Sequence, residues 1–281
     1  MSTQPIQVYP GYVFDLDGTV YLGDALLPHA AQTIGELRRR GSHIVYVTNK
    51  PLETAEDYAR KLTRLGVETA RSDVVTSVDA LVDYLGEEHP GATVLAVAER
   101  STTDELSAAG VKVTTQPLEA EVVVVSFDRT FDYEKLNAAF QAVRYGGAVI
   151  VATNPDPYCP TPEGGIPDCA AMLAAIEACA GAKAEAVVGK PSIHMARALL
   201  RRLSMAPDRV AVVGDRLLTD IAMARSMGMT GVLVLTGATC AESIEGSPVQ
   251  PDYVIGSLSE LLPESRPVIE ALEPRTLEAD C

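Results

Sequence analysis

Short runs rich in valine and isoleucine alternate along the chain with longer stretches whose apolar residues recur at helical spacing. Buried strands separated by amphipathic helices are the signature of an α/β chain with largely parallel strands. The pattern predicts strands at Tyr12–Phe14, His43–Val47, Thr93–Val97, Val122–Ser126, Ala148–Ala152, Val210–Val213, Gly231–Leu235 and Tyr253–Ile255. It predicts helices at Pro28–Arg40, Leu52–Leu65, from after Ser77 to Leu85, Asp132–Tyr145, Asp168–Ala180, Ser192–Leu203 and Thr219–Met227. Gly41 and Gly66 stand where the first two helices should stop. The segment from Pro155 to Pro167, with Pro157, Pro160, Pro162 and the Gly164–Gly165 pair, is too long and proline-rich for a plain connection and reads as a functional or disordered loop. The polar tail from Pro263 reads as a frayed end.

A length of 281 residues allows one large domain or two modest ones. No apolar run approaches the roughly 20 residues that cross a bilayer. The opening MSTQPIQVYPGY lacks the basic start and apolar core of a secretory signal, so a cytoplasmic protein without a membrane partner is expected. With 38 acidic against 23 basic residues the formal charge is -15, which repels a polyanion and excludes nucleic acid as a partner. Small anions are not excluded, because a bound cation and one lysine reverse the field locally. The five cysteines, Cys159, Cys169, Cys179, Cys240 and Cys281, form no CxxC pair and read as reduced thiols rather than zinc ligands.

Four segments carry candidate chemistry. In Phe14-Asp15-Leu16-Asp17-Gly18-Thr19, a hydrophobic strand runs into two aspartates and a glycine. Ligands of parallel α/β sheets bind at the carboxyl ends of strands. If the chain stays extended, Asp15 and Asp17 point to one side, and paired carboxylates call for a cation between them or a shared proton. In Thr48-Asn49-Lys50-Pro51 a strand ends in groups suited to phosphate oxygens, or simply to capping the next helix. In Gly189-Lys190-Pro191-Ser192 a lysine precedes a helix, either as a point charge beside clustered aspartates or as an exposed side chain. In Val213-Gly214-Asp215, with Asp220 a turn later, a strand again ends in acid, which suits a metal carboxylate or an acidic helix start.

Taken in order, DLDGT, TN, GKP and GDxxxTD resemble the haloacid dehalogenase (HAD) superfamily of aspartyl-nucleophile phosphohydrolases. With Thr153-Asn154-Pro155-Asp156 and GKPS, the chain is similar to the type IIA subfamily of NagD-like and p-nitrophenyl-phosphatase-like enzymes. The resemblance implies an α/β fold: a Rossmann-like core with a parallel sheet, residues 1–76 and 188–281, and an inserted α/β C2-type cap, residues 77–187. It implies Asp15 as nucleophile and Asp17 as acid and base. Mg2+ would be held by Asp15, the Asp17 carbonyl and Asp215. Thr48, the Asn49 backbone and Gly18 would lie at the phosphoryl group, Lys190 would offset charge, and Asp220 would steer Lys190 or a metal-bound water. Asp17 favours a phosphatase over a dehalogenase, because an alkoxide must be protonated to leave and a halide need not be.

By the same likeness, Asn154, Asp156, Tyr158 and Phe127–Arg129 of the cap would meet the substrate, a small phosphate ester and above all a sugar or polyol phosphate. Homodimerisation through the cap is a further expectation. Two departures stand out. Asp168 occupies a place where the family usually has glycine, which would disfavour acidic substrates and favour hydroxylated or amino ones, unless it only caps the helix that begins there. Lys50 follows TN where small residues are common. Two other readings stay open: a phosphoryl transferase or mutase, and a non-catalytic phosphate sensor.

Overall fold

The computed structural model describes residues 6–161 and 164–262. The tail from Pro263, Pro162 and Cys281 fall outside them. The chain divides into two compact units, one formed by residues up to Val45, Leu65–Val67 and from Met205 onward, the other by Tyr46–Arg64 and Glu68–Ser204.

In the first unit, parallel strands run in the order Tyr253–Ile255, Thr230–Val234, Val210–Gly214, Gly11–Asp15. The start of His43–Thr48 follows, where the His43 amide donates to the Pro10 carbonyl at 2.8 Å. Tyr12, Val13, Phe14, Val212 and Val213 are fully buried, as unbroken apolar runs must be in a sheet covered on both faces. Phe14 lies opposite Val213, so Asp15 comes level with Gly214 and the two strands deliver their carboxyl ends to one place.

The second unit is built on a five-stranded parallel sheet in the order Ala186–Val187, Val149–Ala152, Val122–Val125, Thr93–Val97, Lys112–Val113. Its core sets Val123, Val125 and Ile150 of the sheet against Ala139 and Ala142 of the Tyr133–Arg144 helix and Ile176 of the Cys169–Ala180 helix. In the same unit the end of His43–Thr48 pairs with Val74–Thr76, Thr48 opposite Thr76.

Several expectations need correction. The Pro155–Pro167 segment, expected as a functional or disordered loop, instead contains an antiparallel hairpin of Tyr158–Thr161 and Gly164–Pro167. A two-stranded hairpin leaves outward amides unneeded, so it tolerates Pro160 and Pro167. Thr219–Met227 is not one α-helix but a π-turn, Leu217–Ile221, followed by Ala222–Ser226. The Arg100–Ala108 helix escapes the pattern because it buries only Thr102 and Leu106. The compact units also do not divide at 76/77 and 187/188, although all strands of the five-stranded sheet lie within 77–187. Tyr46–Arg64 and the stretch from Val188 to Ser204 group with the second unit, where Ser77 donates to the Asn49 carbonyl at 2.9 Å and Asn49 is bonded to Lys190. Cys169 and Cys179 are free thiols, whereas Cys240 is disulfide-bonded. Among the described residues no helix is long and apolar enough to cross a membrane.

Candidate active site

The first unit gathers three buried carboxylates. Asp15, Asp215 and Asp220 each offer an oxygen, and these lie within 4.8 Å of one another. The neighbouring strands put Asp15 and Asp215 side by side, and the π-helical turn Leu217–Ile221 brings Asp220 back to them. Gly214 permits this return, since a methyl group there would meet the Asp220 carboxyl carbon at 2.3 Å. The Arg216 amide donates to Asp220 Oδ2 at 3.2 Å, and the Ala238 amide donates to Asp215 Oδ2 at 2.6 Å. Three buried carboxylates repel one another strongly, and an all-oxygen set at this spacing fits a hard divalent cation. Asp220 therefore stands close enough to be a ligand itself, beyond the steering role that the resemblance implies.

Asp17 is not part of this cluster. The strand ends at Asp15, Leu16 turns into the core, and Asp17 is exposed, so the alternation of an extended chain does not reach it. Gly18 also differs from expectation. Its amide donates to the Tyr21 carbonyl at 2.8 Å and its carbonyl accepts from the Thr236 hydroxyl at 2.6 Å, so neither backbone group faces outward for phosphate. Its φ is 82°, and a methyl group on it would stand 2.6 Å from Asp215 Oδ2, so Gly18 supplies the space into which Asp215 fits. The Thr236–Ala238 segment that backs Asp215 was missed, although a buried strand running into Thr-Gly is a readable signal.

The second unit holds another cluster. Lys190 is only 4% exposed, which removes the reading of a solvated lysine. Asn49 Oδ1 accepts from the Lys190 amide at 2.7 Å, while Asn49 Nδ2 donates to the Lys190 carbonyl at 3.0 Å and to Asp156 Oδ2 at 2.9 Å. Gly189 lets the loop approach, since a methyl group there would stand 2.7 Å from Asn49 Oδ1. Thr48 is buried and its hydroxyl oxygen accepts from the Lys50 amide at 3.1 Å. Neither Thr48 nor Asn49 caps the Ala55–Arg64 helix. Thr54 does, accepting from the Asp57 amide at 3.1 Å. Asn154 is buried and donates to the Asn49 carbonyl at 3.2 Å. Asp168, also buried, is the N-cap residue of the Cys169–Ala180 helix. Burial first, then the nearby Asp156 charge, pushes its carboxyl up to about 6. Phe127 is fully buried, and Arg129 is held in an ion pair with Glu99 at 2.5 Å.

The chain matches the profile of haloacid dehalogenase-like hydrolases over residues 12–112 and a HAD-hydrolase-like profile over residues 187–261. Sugar-phosphatase AraL of Bacillus subtilis is 38% identical over 262 residues, 93% of this chain and 95% of that protein. The chain belongs to the haloacid dehalogenase superfamily. The 4-nitrophenylphosphatase of Thermotoga maritima superposes with a TM-score of 0.85 at 33% identity, covering 90% of this chain and 96% of that one. A glycerol phosphate phosphatase of Mycobacterium tuberculosis, solved in complex with magnesium, superposes with a TM-score of 0.83 at 32% identity, covering 91% and 77%. This HAD chain is of type IIA, NagD-like and p-nitrophenyl-phosphatase-like, and is a phosphoric monoester hydrolase.

Proposed function

We propose that this HAD chain is a Mg2+-dependent phosphatase of small phosphate monoesters, above all sugar or polyol phosphates, and that Asp15 is its nucleophile. The observation that carries the reading is the buried triad of Asp15, Asp215 and Asp220 at the ends of neighbouring parallel strands. The sugar-phosphatase relative and the magnesium-bound neighbour support the substrate class and the ion.

Asp15, Asp215 and the Asp17 carbonyl would hold Mg2+, with Asp220 at ligand distance. When bound, the ion neutralises charge on the carboxylates and the phosphoryl oxygens. An Asp15 oxygen bonds to phosphorus while the bond from phosphorus to the ester oxygen breaks, and Asp17 gives its proton to that oxygen. The Asp17 carboxylate then takes a proton from a water whose oxygen bonds to phosphorus. The bond to Asp15 breaks and inorganic phosphate leaves. The exposure of Asp17 suits a group that must meet first a leaving group and then water. Thr48 and the Asn49 backbone bind the phosphoryl group, and Lys190 offsets its charge. Preorganised charge of this kind supplies most of the rate in phosphoryl transfer.

The test is release of inorganic phosphate from p-nitrophenyl phosphate and a panel of sugar and polyol phosphates, with Mg2+ and with excess chelator. Sustained turnover abolished by chelator is the expected result. One equivalent of label retained without turnover would instead mark a phosphate sensor.

A further inference from the structure

Asp168 makes a poor helix cap for a residue so deeply placed. An N-cap side chain ordinarily accepts from the second or third amide of its helix. Here the second amide, on Ala170, donates to the Asp156 carbonyl at 3.1 Å, and the third, on Ala171, donates to the Asp168 carbonyl at 2.9 Å. The Asp168 carboxyl reaches only the first amide, on Cys169, at 2.5 Å, and the Asn154 side-chain amide at 3.4 Å. Both bonds go to Oδ1. Among the described residues Oδ2 accepts no hydrogen bond, although the residue is only 4% exposed. Oδ2 is not one of the sealed, unbonded polar atoms among the described residues, so it stays open to a donor from outside the chain.

Its surroundings point to what that is. Asn154 donates both to Asp168 and to the Asn49 carbonyl, so one side chain separates Asp168 from the Asn49–Lys190 pair. Asp156, a second carboxylate, lies close enough to repel negative charge at Asp168, and Lys50 offsets part of it. Oδ2 can therefore take a hydrogen-bond donor, and the pair of acids resists a third carboxylate.

We propose that Asp168, together with Asp156, is a specificity-determining residue that accepts a hydroxyl or ammonium donor of the leaving group and rejects esters carrying a carboxylate. This rests on the phosphatase reading and narrows its substrate class to hydroxylated or amino esters.

The test compares wild type, Asp168→Ala and the near-isosteric Asp168→Asn on three substrates: p-nitrophenyl phosphate, phosphoglycolate, and the best hydroxylated ester of the panel. The readout is kcat/KM for each ester divided by that for p-nitrophenyl phosphate, which a general loss of fold or of phosphoryl binding leaves unmoved. In Asp168→Ala the hydroxylated ratio falls about 10- to 100-fold, the range expected for one hydrogen bond to a charged group. In Asp168→Asn, which keeps an acceptor but loses the charge, the phosphoglycolate ratio rises. If both ratios stay within about twofold of wild type, the assignment is wrong while the phosphatase reading stands. No phosphate release by wild type from any ester overturns both.

Discussion

Asn49 grips Lys190 by both of its backbone groups, accepting from the amide at 2.7 Å and donating to the carbonyl at 3.0 Å. Its side chain is therefore spent on holding the lysine loop and Asp156, and its carbonyl accepts from Ser77 and Asn154, so its amide is the group that suits a phosphoryl oxygen. Asn49→Ala frees the loop on which Lys190 sits. It should lower kcat about tenfold or more while changing KM less, because the lysine is misplaced rather than removed. Steady-state kinetics on p-nitrophenyl phosphate check this, and a wild-type kcat would show that the grip is incidental.

Gly18→Ala drives a methyl group toward Asp215 at a backbone φ of 82° that side chains resist. Together these should cost about 2–4 kcal/mol of stability. Activity should fall as well, with more Mg2+ needed for half-maximal rate, because Asp215 must move. Thermal melts and a Mg2+ titration read the two effects separately.

Asp17→Asn removes the proton that the ester oxygen takes on leaving. The loss should be larger for an alkyl ester than for p-nitrophenyl phosphate, whose phenolate leaves unaided. Equal losses on the two would remove Asp17 from the first chemical step.

Glu105 lies beside a crevice of about 530 Å³ with Arg71, Asp79 and Arg201. Burial first, then the Asp79 charge, pushes its carboxyl from the ordinary 4.5 up to about 7. The folded state thus holds a proton that the unfolded chain gives up, so this group favours folding fully below about pH 4.5. That contribution is lost as pH rises through 7. Wild type should lose more melting temperature between pH 5 and pH 8 than Glu105→Gln does. Parallel curves for the two proteins would contradict it.

The strand-end aspartates were legible because a buried run of Val and Phe has to stop before a carboxylate. What surrounds each of them was not. The likeness of Asp17 to a partner of Asp15 assumed an extended chain past Asp15, yet Leu16 is drawn into the core and Asp17 left outside. The true neighbours of Asp15 come from the other end of the chain through strand register. In the same way, Asn49 meets Asp156 and Lys190 across 107 and 141 residues, which no local pattern encodes. Asp168 was readable as a helix start. That the Asp156 carbonyl takes the second amide of that helix depends on the hairpin that the prolines disguised as a loop.

The central claim is that an Asp15 oxygen becomes bonded to phosphorus during turnover. Two in-line displacements, the first by Asp15 and the second by water, each invert the phosphorus centre. Hydrolysis of an ester whose phosphoryl group is made chiral with oxygen isotopes and sulfur should therefore release thiophosphate with retained configuration. Inverted product would mean a single direct attack by water, and would contradict the account.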